Sequence, residues 1–199
     1  MSVLEGEMVY DLAAMIRDQG MNVVVRNLTT VTGPQPYPNP PSYSEDFAVS
    51  GGAAPHATSI TFAAKLVNGR LLAGDTFQLG SDPTVYTVAT TIQSSANAFT
   101  GVAFTPGLAV AATNGESVTF AFSADTTVPA LVTSFPSRLV NGTTIQASDK
   151  QVRFLASGLP YAPVATDKIF MFGEVYSIVN PRPIQIQGTI FAWACHVRK

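Results

Sequence analysis

The sequence predicts a mainly β protein: a small β-barrel core with one N-terminal helix, and a second small all-β domain inserted into it. Three observations carry this expectation. The last segment, Gly188 to Arg198, alternates cleanly, with Phe191, Trp193, Cys195 and Val197 on one face and Ile190, Ala192, Ala194, His196 and Arg198 on the other. The middle of the chain is a series of short apolar runs separated by turn residues. Only the first residues show a helical period.

That first element is expected over residues 3–19. Ser2 and Glu5 fit a capping box, whose side chains satisfy free amides of the first turn. Leu4, Met8, Leu12 and Met15/Ile16 form one apolar stripe. Arg17 suits the negative end of the helix dipole, and Gly20 stops the helix. A valine-rich strand follows, around Asn22 to Thr29. Residues 33–41 then hold five prolines, which fix φ and remove donors, so an extended arm is expected. It could serve a proline-recognising domain, but a linker or an arm draped over a neighbour is the simpler reading.

From Ala48 to Asp125 the charges reduce to Lys65, Arg70, Asp75, Asp82, Glu116 and Asp125. Strands are expected at Ser59–Phe62, Thr76–Leu79, Val85–Val88, Gly101–Phe104 and Ser117–Phe122. Hairpin turns are expected at Asn68-Gly69 and Asn114-Gly115, because both residue types tolerate positive φ. The aromatics Phe62, Phe77, Tyr86, Phe99, Phe104, Phe120 and Phe122 fit core positions. Ser50 to Gly52 and Thr126 to Pro129 read as entry and exit of this domain. The domains are therefore expected at 48–126 for the insert and at 1–47 with 127–199 for the barrel. In the last third, Asn141-Gly142 reads as a third hairpin turn. Strands are expected at Gln151–Leu155, Lys168–Phe172 and Glu174–Val179, with Gly173 as a tight turn. Gly74 to Val88 and Thr166 to Ile178 echo one another: an Asp opens a strand, a Gly ends it, and a strand with Tyr-x-Val or Tyr-x-Ile returns.

Hydrophobic residues make up 46% of the 199 positions, enough for a real core, yet only 12% are charged. An average soluble domain has about 25% charged residues. Surface hidden in a multi-subunit assembly is one physical answer to so little charge. The net charge of -2 gives no global pull toward nucleic acid. No apolar run reaches a membrane-spanning length. Met1 to Tyr10 carries Glu5 and Glu7 and no basic stretch, so no secretory signal is expected. One cysteine excludes an internal disulfide framework and a cysteine-based zinc site, which suits a reducing cytoplasm.

No phosphate loop, dinucleotide fingerprint, nucleophile elbow or zinc-protease motif occurs. The two histidines, His56 and His196, fall in different expected domains. Cys195 and His196 are adjacent on a strand and so point to opposite faces, which argues against a thiolate–imidazole pair. Cys195 reads as core and His196 as a surface or interface residue. Asp75, Asp149 and Asp167 read as strand-opening or turn-capping residues. No enzymatic activity, cofactor, metal or catalytic residue is expected.

Met15 to Gly20 with Val23 to Arg26, then Gly142 to Val152, Asp167, Gly173 to Pro183 and Gly188 to Ala192, together resemble the head-closure proteins of tailed bacteriophages, also called stoppers or head–tail joining proteins. The middle of the chain departs from that family, whose two halves normally run together. Its Leu71 to Phe77 and Val102 to Ala112 runs resemble β-modules of other virion proteins.

The resemblance implies a small SH3-like barrel in the virion neck, assembled in the host cytoplasm. It implies a homo-oligomeric ring, with six- and twelve-fold symmetry both compatible. A portal or adaptor protein would lie above, a tail terminator or tail-completion protein below, and packaged DNA would be touched non-specifically at most. No membrane is implied. The matching channel-plug loop is Ser134 to Lys150, with Ser134, Arg138, Asn141, Gly142, Thr143, Gln146, Asp149 and Lys150 as its residues, and its composition suits a flexible plug. Met8, Leu12, Tyr37, Pro38, Arg182, His196 and Arg198 are the candidate subunit or neighbour contacts. A tail terminator ring and a glycan- or receptor-binding module are the alternatives.

Overall fold

The computed structural model describes residues 3–28, 47–65, 69–80, 82–186 and 188–199, with the backbone alone over 3–9. The chain divides into two compact units, Met1–Thr30 with Thr126–Lys199, and Val31–Asp125. The first contains α1 (Val3–Gln19) and β1 (Met21–Arg26). The second contains β2 (Phe47–Val49), β3 (Ser59–Ala64), β4 (Arg70–Leu71), β5 (Thr76–Leu79), β6 (Tyr86–Val88), β7 (Ile92–Gln93), β8 (Ala98–Thr105) and β9 (Val118–Ala121). The chain then returns to the first unit with β10 (Asp125–Ser134), β11 (Lys150–Leu155), β12 (Lys168–Met171), β13 (Glu174–Ile186) and β14 (Thr189–Arg198). The protein is thus mainly β with one helix.

The first unit is a closed barrel in the order β1-β10-β11-β14-β13-β12. Closure removes the exposed sheet edges that invite wrong pairing. Strand β12 meets β1 with Val24 opposite Phe170 and Arg26 opposite Lys168. The interior is filled by Val23, Val25, Val152, Phe154, Ile169, Ile178, Trp193, Cys195 and Val197. Trp193, Cys195 and Val197 are the buried face expected of the last strand; Ala192 is buried as well. Buried Arg26 lies over the Phe170 ring at 4.6 Å. Turn residues Phe172 and Gly173 both have positive φ, at 55° and 73°, with Met171 opposite Glu174. This is the mirror-image two-residue turn that matches strand twist.

Helix α1 ends where Gly20 was expected to stop it. The Gly20 amide donates to Ile16 O at 2.9 Å. A Cβ at Gly20 would lie 2.0 Å from that same oxygen and 3.1 Å from Ala130 O. Gly20→Ala is therefore expected to destabilise the barrel by roughly 2–3 kcal/mol, the scale of overpacking against unyielding backbone. A chemical denaturation midpoint checks this. Ile16 is buried, Leu12 half-buried and Met15 exposed, so the stripe resolves onto Ile16. Ser2 and the side chains of Leu4, Glu5 and Met8 lie outside the described residues, as does the proline arm.

The second unit is a six-stranded antiparallel sheet in the order β2-β3-β8-β6-β5-β9, with β4 and β7 paired beside it. Its end strands approach one another: Ala48 bridges Ser117, and the Val49 amide donates to Glu116 O at 2.8 Å. All seven aromatics expected in its core are buried. Their rings meet mostly edge to face, as for Phe62 and Phe77 at 5.1 Å and 76°.

Several expectations need correction. Phe47 already belongs to the inserted sheet, and Thr126 to the barrel strand β10. Ser50 to Gly52 is no entry linker, because Ser50 N donates to Thr61 O and Gly51 N to Asn114 Oδ1. Thr126 to Pro129 is no exit linker, since it lies within β10 and buries Val128. Pro129 precedes the residues paired with β11, which begin at Ala130. Asn114-Gly115 turns the chain, but its flanks pair with different partners, Ala112 with Ala53 and Val118 with Leu79. It is therefore not a hairpin. Asn141-Gly142 likewise lies inside a longer loop. Asn68 is outside the described residues.

Candidate functional site

The expected plug segment is the connection between β10 and β11, whose mouth is the Ser134–Lys150 pair. Lys150 Nζ donates to Ser134 Oγ at 2.9 Å across it. A 3-10 turn at Ser137–Leu139 opens the loop. Asn141 then organises the tip: its Oδ1 accepts from the amides of Thr143, Thr144 and Ile145 at 3.1, 2.8 and 3.0 Å. The amides of Asn141 and Gly142 donate back to Ile145 O. Gly142, at φ 77°, supplies the left-handed step. The composition suggested a flexible plug; the hydrogen bonds show a braced loop instead.

The base of the loop is held by Asp149, which is fully buried. Its Oδ2 accepts from Gln146 N at 2.9 Å and Arg198 Nη2 at 2.8 Å, and its Oδ1 accepts from Arg198 Nε at 3.0 Å. His196 Nε2 lies 2.6 Å from Oδ2. An ionised carboxylate only accepts, so this nitrogen carries the hydrogen. Arg198 Nη2 also donates to Thr144 O at 3.0 Å, tying the last strand to the loop. The Phe135 ring packs edge-on to His196 at 5.0 Å. The Arg198 hydrogen bonds hold the Asp149 carboxyl well below the usual carboxylate range against the opposing effect of burial, and Gln146 and His196 assist.

Ser134, Arg138, Asn141, Gly142 and Thr143 are exposed, while Gln146 and Lys150 are half-buried. The only carboxylate of the segment, Asp149, is buried and paired with Arg198. The outward face therefore offers hydroxyls, amides and the Arg138 cation, with no acid. Such a face can touch a phosphate backbone without reading sequence. Among the candidate neighbour contacts, Arg182 is exposed on β13 and Leu12 half-buried. Tyr37, Pro38 and the Met8 side chain lie outside the described residues. His196 and Arg198 do not face outward but turn onto Asp149. Their role was missed because nothing local links positions 47 and 49 residues apart.

The Asp149 turn recurs. Asp75, Asp149 and Asp167 are each fully buried. In each, Oδ2 accepts from the amide three residues back, of Leu72, Gln146 and Val164, at 2.8, 2.9 and 3.0 Å. Each Asp amide donates to that same residue's carbonyl. The matching sequences are Leu72-Ala73-Gly74-Asp75, Gln146-Ala147-Ser148-Asp149 and Val164-Ala165-Thr166-Asp167. The echo read from the sequence covers the first and third; the middle copy is visible once Ala-x-Asp is the signal sought. Asp75 Oδ1 and Asp167 Oδ1 then accept from Ser123 N and Leu28 N, fastening a distant segment to each turn.

No family model, curated protein or solved structure matches this chain. Cys195 is fully buried, and burial pushes its thiol up to about 12. Among the described residues no group of three or more His, Cys, Asp or Glu side chains is placed to hold a metal ion. Among those residues, too, no helix is long and apolar enough to cross a membrane.

Proposed function

We propose that this protein is a structural component of a tailed-phage neck, a head-closure barrel that assembles as a ring below the portal or adaptor and receives the tail. In this reading it carries no catalytic activity. The observation that carries the proposal is the β10–β11 loop of a closed barrel, braced by hydrogen bonds and with its single carboxylate, Asp149, buried. A loop that must stand against DNA under pressure benefits from bracing, and Asn141 and Asp149 supply it. The loop's exposed donors suit phosphate contact without base readout. Among its described residues the inserted unit turns the aromatics Phe62, Phe77, Tyr86, Phe99, Phe104, Phe120 and Phe122 into its own core, which does not favour a glycan-binding role.

The test is inactivation of the gene in the phage that encodes it, followed by electron microscopy of the lysate. Heads emptied of DNA beside complete, unattached tails are the expected result. Complete virions that merely fail to adsorb would overturn the proposal.

A further inference from the structure

Resting on the ring reading, we propose that Phe172 of one copy inserts into an apolar depression on the barrel of the next copy, and that this knob-in-pocket contact propagates the ring. Phe172 occupies the tip of the β12–β13 turn at φ 55° with 61% of its surface exposed. A bulky aromatic is a poor occupant of that backbone region, which favours Gly, Asn or Asp. Exposure of so large an apolar side chain adds a second cost. Neither cost brings any benefit within the unit itself.

The same barrel carries an open depression of about 270 Å³, walled by Ala156, Leu159, Pro160, Tyr161, Ile190 and Trp193. That volume falls below the range of small-molecule sites and suits a single large side chain. Phe172 does not line it within one copy. The turn lies at the Glu174 end of β13, whereas Trp193 is paired with Pro183 farther along that strand. Knob and pocket are different patches of one surface, so their contact is head-to-tail, the kind that forms a ring when the rotation between copies closes. One aromatic buries only about 150–250 Å². A stable free dimer needs about 1,200 Å² or more. The contact therefore holds when each copy has neighbours on both sides, not in a free pair.

The experiment introduces Phe172→Cys and Ala162→Cys together into the chain within the phage, since Ala162 is exposed at the depression. Buried Cys195 stays out of reach of the oxidant. A ladder of disulfide-linked multimers from purified particles, absent from either single variant, is expected. Particles that contain the chain but yield only monomer, or dimers from Phe172→Cys alone, overturn the contact and leave the ring reading intact. Particles of the parent phage that lack the chain altogether overturn both. A second variant guards against misfolding: Phe172→Ala, shown to be folded by circular dichroism, should lower incorporation in competition with the parent roughly ten- to hundredfold. Equal incorporation overturns the contact.

Discussion

Asp149→Asn is expected to destabilise the barrel by about 2–3 kcal/mol and to loosen the base of the loop, which raises amide exchange over residues 144–146 through local opening. The substitution keeps the shape but not the chemistry. The remaining oxygen still accepts from Gln146 N and Arg198 Nη2, while the new NH2 group faces Arg198 Nε. Donor then opposes donor, and a cation that stood against a buried carboxylate loses its partner. The expected cost stays below that of a wholly buried pair because the Arg198 side chain keeps 28% of its surface exposed. Hydrogen exchange by mass spectrometry reads the loop, and a denaturation midpoint reads the barrel. Unchanged protection over residues 144–146 would show that Asp149 does not brace the loop.

The same substitution has a pH signature. Arg198 lowers the folded-state pKa of Asp149 below its unfolded value. Its contribution is therefore fully present at neutral pH and persists down to about pH 4, near the unfolded value. It is lost as the pH falls further, toward the folded value. The stability difference between parent and Asp149→Asn should be constant from pH 7 to about pH 5 and should shrink below about pH 4. A difference that grows in acid would reverse the assigned sign.

Phe77→Ala is expected to destabilise the inserted unit by about 3–5 kcal/mol while the barrel remains folded. Phe77 is 1% exposed and its ring meets those of Phe62, Tyr86, Phe104 and Phe120 at 5.1–5.6 Å. Truncation removes the hub of this cluster, and neighbours held in paired strands can collapse into the void only partly. Trp193, the single tryptophan, lies in the barrel and reports on that unit alone. Calorimetry should show one transition moved to lower temperature, with the tryptophan-detected transition unchanged. A tryptophan transition that falls by the same amount would mean that the two units unfold as one.

Much of the fold was readable because its signals are local. The spacing of the first residues marks α1, and alternation marks β9 and β14, since a side chain's face follows from its position in the strand. Thr76–Leu79 needed no more than β-branched and apolar residues between two glycine turns. The Asp75 and Asp167 turns announce themselves because the carboxylate bonds an amide only three residues away. Very short strands such as β4 and β7 escaped, because two residues carry no period. The glycine turns misled in one respect. Asn-Gly reports that the backbone can take positive φ, but it does not say which strands the turn will join or how long the loop around it is: Asn114-Gly115 joins segments that pair elsewhere, and Asn141-Gly142 sits within a long connection between β10 and β11.

By itself, then, the sequence determined the fold class, the positions of most elements, the aromatic core of the inserted unit and the buried face of the last strand. Each of these depends on a few consecutive residues. Strand order, register and the meeting of Asp149 with His196 and Arg198 were decided only by the tertiary structure. Pairing depends on how much apolar surface the whole unit buries, a property no short window contains. Closure sets β14 beside β11, and that register brings the last residues of the chain to the base of the loop. An arginine and a histidine that looked free to face outward became the brace of the candidate site, because a buried carboxylate is tolerated only where such partners reach it.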